Sequence, residues 1–213
     1  MEDSGQRNSR TELSQNGDGS SSIDPAVAVF VSEFLQYKLG LCGYQWTSPL
    51  ITSRAVGNRS IAAQVGIALR SLADDFASQF KEQFDEMCDK LNITAGNLKP
   101  TIEGVADELF SEGIKWARIV AFFVFGSELA VHCRNKNCFD LINLIAYSQS
   151  TYITEKLLPW INDHGGWEGL IQFKEGESTE KEPSNRWPSA KNLLCLGIGA
   201  LGAITIGAVF TKS

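Results

Sequence analysis

The chain has 213 residues, 43% of them hydrophobic, and a formal net charge of −6. Length and apolar fraction suit one well-buried domain with tails, and an acidic balance with no basic run longer than two residues argues against nucleic acid as a partner. The five cysteines, Cys42, Cys88, Cys133, Cys138 and Cys195, are odd in number, scattered and without a Cys-x-x-Cys pair, which disfavours a disulfide framework and fits a reducing compartment.

Residues 1–24 are polar and rich in Ser, Gly and Asn, lack the apolar core of a secretory signal, and read as a disordered tail. Asp24-Pro25 then supplies an N-cap and a first-turn proline. Val27, Phe30, Val31, Phe34, Leu35, Tyr37 and Leu39 give the helix a broad apolar face before Gly40 and Gly43 end it. After a linker over Thr47 to Arg59, Ile61, Val65, Leu69, Leu72, Phe76, Phe80, Phe84 and Met87 follow one another by three or four residues. That is the spacing of a single helical stripe. A break at Asn92 to Asn97 precedes a shorter helix from Pro100 to Phe110, and Gly113 interrupts again.

The run Ile119 to Phe125 is wholly apolar, with Arg118 at its head. Nothing around it alternates as a strand would, so it reads as a helix from Lys115 to Arg134 that is apolar all round and belongs at the centre of a bundle. A guanidinium on the first turn of such a helix is costly unless it keeps water or meets a carboxylate. Two readings stay open on residue pattern alone: an internal pair with Glu108 or Asp107, or an outward-facing arginine that reads a ligand. Phe139 to Leu158 is periodic once more, Pro159 starts a new turn, and a last short helix follows Gly165-Gly166 and ends near Lys174. The helical domain is therefore placed at residues 25–174, and residues 175–192, charged and proline-bearing, read as an extended linker.

Residues 193–210 (LLCLGIGALGAITIGAVF) carry no charge over 18 positions. As a helix they span ~27 Å, close to the ~30 Å hydrocarbon core, and read as a transmembrane tail anchor with the preceding domain on one side of the membrane. Gly199, Ala203 and Gly207 recur every fourth residue. Such a stripe lets another helix approach closely and so permits a homo-oligomer, although small residues are common in membrane helices in any case.

Asp107 to Phe123 (DELFSEGIKWARIVAFF) resembles the first homology motif of the Bcl-2 family of apoptosis regulators. Pro159-Trp160-Ile161 with Gly165-Gly166-Trp167 resembles the second motif. Leu69 to Phe76 (LRSLADDF) resembles the third, and Phe34-Leu35-x-Tyr37-Lys38-Leu39 with Gly43-Tyr44-x-Trp46 the fourth. The four stand in the family's order, with the apolar tail behind them.

The resemblance implies an all-α bundle of about eight helices around a central apolar hairpin, here the helices beginning near Lys115 and Cys138. It also implies a surface groove that accepts the amphipathic helix of a pro-apoptotic family member, whose aspartate pairs with Arg118. Carried over position by position, the groove is lined by Phe76, Phe80, Phe84, Met87, Val105, Leu109, Val120, Ala121 and Phe125, with Glu108 and Arg118 as its polar fixtures. The chain's own third-motif helix is marked by Val65, Leu69, Leu72, Ala73, Asp74 and Phe76. Two departures bear on partner choice: Lys115 stands where the family has a neutral amide, and Ala117 where it has a glycine that lets the partner helix approach. Ala73 likewise replaces a glycine.

The implied role is a regulator at the cytosolic face of the mitochondrial outer membrane or the endoplasmic reticulum. It is an anti-apoptotic one by the likeness of its fourth motif, with a membrane-permeabilising executioner of the same fold as the alternative. Enzymatic chemistry finds no matching motif: two histidines, His132 and His164, come with no nucleophile elbow, phosphate loop or zinc-ligand spacing. No cofactor is expected.

Overall fold

The computed structural model describes residues 22–51, 59–176 and Trp187. The expected anchor at 193–210, most of the linker and most of the N-terminal tail lie outside the described residues. Within them every regular element is helical: α1 Pro25–Leu41, α2 Arg59–Lys90, α3 Leu98–Leu109, α4 Trp116–Asn135, α5 Asp140–Tyr152, a π-helical turn Ile153–Leu157, α6 Leu158–Asp163 and α7 Glu168–Glu175.

Local chemistry accounts for the start of α1. The Asp24 carboxylate accepts from the amides of Ala26 and Val27, at 2.9 and 3.1 Å, as an N-cap does, and Pro25 occupies the first turn, where no N–H is needed. α2 contains a break in helical geometry at Phe80 (φ −126°, ψ 18°), where its line changes. The sequence predicts a new turn at Pro159; the structure instead carries the helix through from α5 by a π turn just before it. Proline has no N–H for the carbonyl four residues back, and a widened turn accommodates the missing bond.

α4 is the axis of the bundle. Ile119, Val120, Phe122, Phe123, Val124 and Leu129 are fully buried, and other elements pack on it from all sides. Phe34 of α1 meets Phe123 edge-on at 5.8 Å, Phe110 beyond α3 meets Phe122 at 5.9 Å, and Tyr152 of α5 meets Phe122 at 5.4 Å. Trp116 packs on Trp160 at 5.5 Å, and Trp167, just before α7, reaches Phe123. The apolar-all-round helix is thus central, with α5 as the second arm of its hairpin. Where the two arms come close, the buried Gln149 amide donates to Phe122 O at 2.7 Å over the bare Gly126.

A second close approach sets a stability prediction. A Cβ at Gly169 would stand 2.4 Å from His164 O and 2.9 Å from the Trp116 ring, and a backbone carbonyl cannot swing aside as a side chain can. Gly169→Ala is therefore expected to lower stability by about 1–3 kcal/mol through overpacking, despite alanine's better helix propensity. A thermal melt of the variant showing no drop would refute the packing.

Candidate functional site: the Arg118 pocket and the α2–α3–α4 face

Arg118 is the third residue of α4 and is buried, with 8% of its side chain exposed. Both burial and the positive end of the helix dipole disfavour a cation there. The turn between α3 and α4 compensates. Gly113, at φ +104° where a side chain would be strained, aims its carbonyl at Nη1 (2.6 Å), and the Glu112 carboxylate lies 2.5 Å from Nη2. Arg118 Nε is buried and makes no hydrogen bond to any of the described residues.

The internal partner is thus Glu112, not the Glu108 or Asp107 that the sequence suggested; Asp107 accepts instead from the Tyr152 hydroxyl at 2.9 Å. Burial and that hydrogen bond push the Tyr152 phenol pKa up. Glu112 falls within the first-motif stretch. Its signal is the Glu-Gly pair at a turn six residues before the arginine, which only the fold converts into a contact. The Glu112 side chain itself is 75% exposed, so one of the two groups holding the guanidinium stands in solvent.

The apolar residues assigned to the groove lie on α2, α3 and α4 and belong to the one continuous hydrophobic core that all the helices share. Phe76, Phe84, Met87, Val105, Leu109, Val120, Ala121 and Phe125 are buried in it and Phe80 packs half-buried against it. Phe76 meets Phe80 at 4.8 Å and Phe84 at 6.0 Å. Ala117, Ala121 and Phe125, four residues apart, form one stripe of α4, and Ala117 is buried beside Arg118. Glu108 is half-buried and Lys115 exposed.

The chain's own third-motif helix is bound inward. Val65, Leu69, Leu72, Ala73 and Phe76 are buried. Asp74 accepts from the Tyr37 hydroxyl at 2.5 Å and lies 3.9 Å from Lys38, which also reaches Glu128 at 3.2 Å. The Asp74 hydrogen bond, aided by burial, raises the Tyr37 pKa, and the Arg70 guanidinium lies 5.4 Å over the Tyr37 ring. Asp75 takes the other direction and accepts from Trp187 Nε1 at 2.8 Å, while the Trp187 ring packs on Phe76 at 5.0 Å. Trp187, in the stretch read from sequence as a linker, thus belongs to this surface.

His132, Cys133 and Cys138, neighbours in sequence, form no candidate metal-binding group among the described residues. His132 faces Asp89 at 4.0 Å, with its pKa lowered chiefly by burial. Cys133 is buried with its thiol pushed up to about 11, again mainly by burial, and Cys138 is exposed.

Residues 69–167 match the model of the Bcl-2 family of apoptosis regulator proteins. The chain is 32% identical over 155 residues to Bcl-2-like protein 1 of Homo sapiens, an alignment covering 70% of this chain and 64% of that protein. It is 36% identical over 149 residues to apoptosis regulator R1 of Xenopus laevis, covering 68% and 65%. The match therefore spans slightly less than two thirds of these relatives' length. Among solved structures, that of Trichoplax adhaerens trBcl-2L2 bound to trBak BH3 superposes with a TM-score of 0.63 at 29% identity, covering 71% of this chain and 98% of that one. Four ordered motifs, an all-helical bundle on a buried central hairpin and these likenesses lead to one conclusion: the chain belongs to the Bcl-2 family of apoptosis regulators.

Proposed function

We propose that the chain is a membrane-anchored, anti-apoptotic regulator that acts by binding, not by turnover, and captures the amphipathic helix of pro-apoptotic family members against α2, α3 and α4. The observation that carries this is the state of Arg118. It is a buried guanidinium with one donor unpaired among the described residues and another held by a solvent-facing carboxylate, next to the Ala117–Ala121–Phe125 stripe. An incoming helix with an aspartate among its apolar anchors offers the two oxygens that a planar guanidinium prefers, and displaces Glu112 into water at little cost. That the trBcl-2L2 neighbour was solved with trBak BH3 supports the same kind of ligand here. Internal pairing of Asp74 and Asp75 supports the role of acceptor over donor of such a helix, because the motif's own acidic residues are engaged.

The anchor at 193–210 is proposed to hold this domain on the cytosolic face of the mitochondrial outer membrane or the endoplasmic reticulum. One observation favours the alternative executioner reading: α4 is long and apolar enough to cross a membrane, though 83% of its apolar window is buried in the bundle. Titration with third-motif peptides of pro-apoptotic proteins, alongside leakage from liposomes, separates the two. Micromolar or tighter binding without leakage is expected; robust leakage by the activated chain would replace this reading with the alternative.

A further inference from the structure

Away from the groove, one end of the bundle presents an aromatic face that the partner reading leaves unused. α1 and α4 both finish in a Schellman closure. Tyr44 N–H donates to Leu39 O at 3.0 Å and Gly43 N–H to Gly40 O at 2.9 Å; Cys138 N–H donates to Cys133 O at 2.8 Å and Asn137 N–H to Arg134 O at 3.0 Å. The left-handed positions these closures need are Gly43 and Asn137. The Arg134 guanidinium joins the two ends by donating to Cys42 O at 3.3 Å.

Held in this way, Tyr44 stacks on Phe139 at 5.2 Å, and Trp46 donates its indole N–H to Asn143 Oδ1 at 2.9 Å. Phe139, Asn143 and Tyr147 are four residues apart and form an exposed face of α5. Phe139 is 41% and Tyr147 44% exposed, and Leu41 at the end of α1 is 65% exposed, large values for such side chains.

The charge pattern says what kind of surface this face meets. Residues 41–51 contain no charged side chain, and residues 131–139 contain Arg134 and Lys136 but no carboxylate, in a chain with 25 acidic and 19 basic residues; on the side away from Tyr44, Lys136 also lines a cleft with Asp85, Asp89 and Glu128 of α2 and α4. The next carboxylate, Asp140, lies ~100° round α5 from Phe139. Amphipathic Trp and Tyr rings beside cations are the composition that settles at the headgroup level of a bilayer. A protein partner would more often be met by mixed charge at the rim. The chain also continues beyond Trp187 into the uncharged run 193–210, whose proposed insertion would keep the domain within reach of a membrane.

We propose that this face, with Tyr44, Trp46, Phe139 and Tyr147 flanked by Arg134 and Lys136, rests on an anionic lipid surface. The rings lie among the headgroups and the two cations against lipid phosphates and carboxylates. The inference rests on the anchoring proposal and is independent of the groove.

The test uses the full chain in vesicles of brominated phosphatidylcholine, with or without about 30% phosphatidylserine. Emission from Trp46 is obtained as the difference between the native chain and Trp46→Phe. It is expected to shift to the blue and to be quenched at least about twofold more in the anionic vesicles. Arg134→Glu with Lys136→Glu is expected to abolish that difference, and Lys136→Glu alone, at an exposed side chain, to reduce it while leaving the melt unchanged. Quenching of Trp46 that ignores both lipid charge and these substitutions overturns the proposal. So does a shift that follows protein density instead of lipid composition, which would mark a second copy as the occupant. Failure to float with either vesicle overturns it through the anchor, whereas loss of partner-helix binding with Trp46 still quenched counts against the groove alone.

Discussion

Replacing Arg118 by alanine is expected to weaken binding of a partner helix by about 2 kcal/mol or more, roughly 30-fold, because the ligand's aspartate loses a charge-assisted, two-oxygen partner in a buried setting. The structure adds a second arm. In the free chain the guanidinium is engaged by Glu112 and by Gly113 O, so the ligand must first displace the Glu112 carboxylate. Glu112→Gln removes that competitor's charge, and a partner helix is expected to bind it more tightly than the native chain. Arg118→Lys should fall between native and alanine, because it keeps the charge but not the planar fork. Calorimetric titration of all three with the same peptide decides the matter. Unchanged affinity for Arg118→Ala in a chain that still melts cooperatively would remove Arg118 from the recognition site, and weaker binding by Glu112→Gln would show that Glu112 serves the ligand instead of competing with it.

The largest stability effect is expected at Phe122, where alanine should cost about 3–5 kcal/mol. This ring is fully buried and is the meeting point of Phe110, Phe125 and Tyr152. Truncation removes its transfer energy and leaves a cavity ringed by aromatics that cannot collapse into it. A urea titration should show the midpoint falling with the slope unchanged, the sign of a less stable chain with the same cooperative unit. A loss below about 1 kcal/mol would mean that the hairpin relaxes around the gap and that α4 is not the rigid axis described.

Much of this architecture was legible in the sequence because the signals are local. Asp24-Pro25 caps a helix through its own neighbours' amides. The apolar surround of Ile119 to Phe125 demands burial on every side, and a helix buried on every side is central. The π turn before Pro159 was not legible. Whether a helix stops at a proline or widens to pass it depends on the packing of both flanks. The candidate site divided in the same way. Its apolar residues could be named from spacing and family likeness, and all of them belong to or pack against the common core of the bundle. The polar contacts that set its state could not. Glu112 and Arg118 meet only because Gly113 folds the chain back, and Trp187 reaches Asp75 across 112 positions.

By itself, the sequence determined the helical class, the central helix, the order of four motifs and an arginine at the head of a buried run. Periodicity, caps and residue chemistry act over a turn or two, so they survive without a fold. Only the tertiary structure decided which carboxylate holds Arg118, that Asp74 and Asp75 are turned to different partners, and that Tyr44 and Trp46 lie along Phe139, Asn143 and Tyr147. Those are choices among several acceptors or faces of equal local merit, and what selects one is the distance left when the helices have packed.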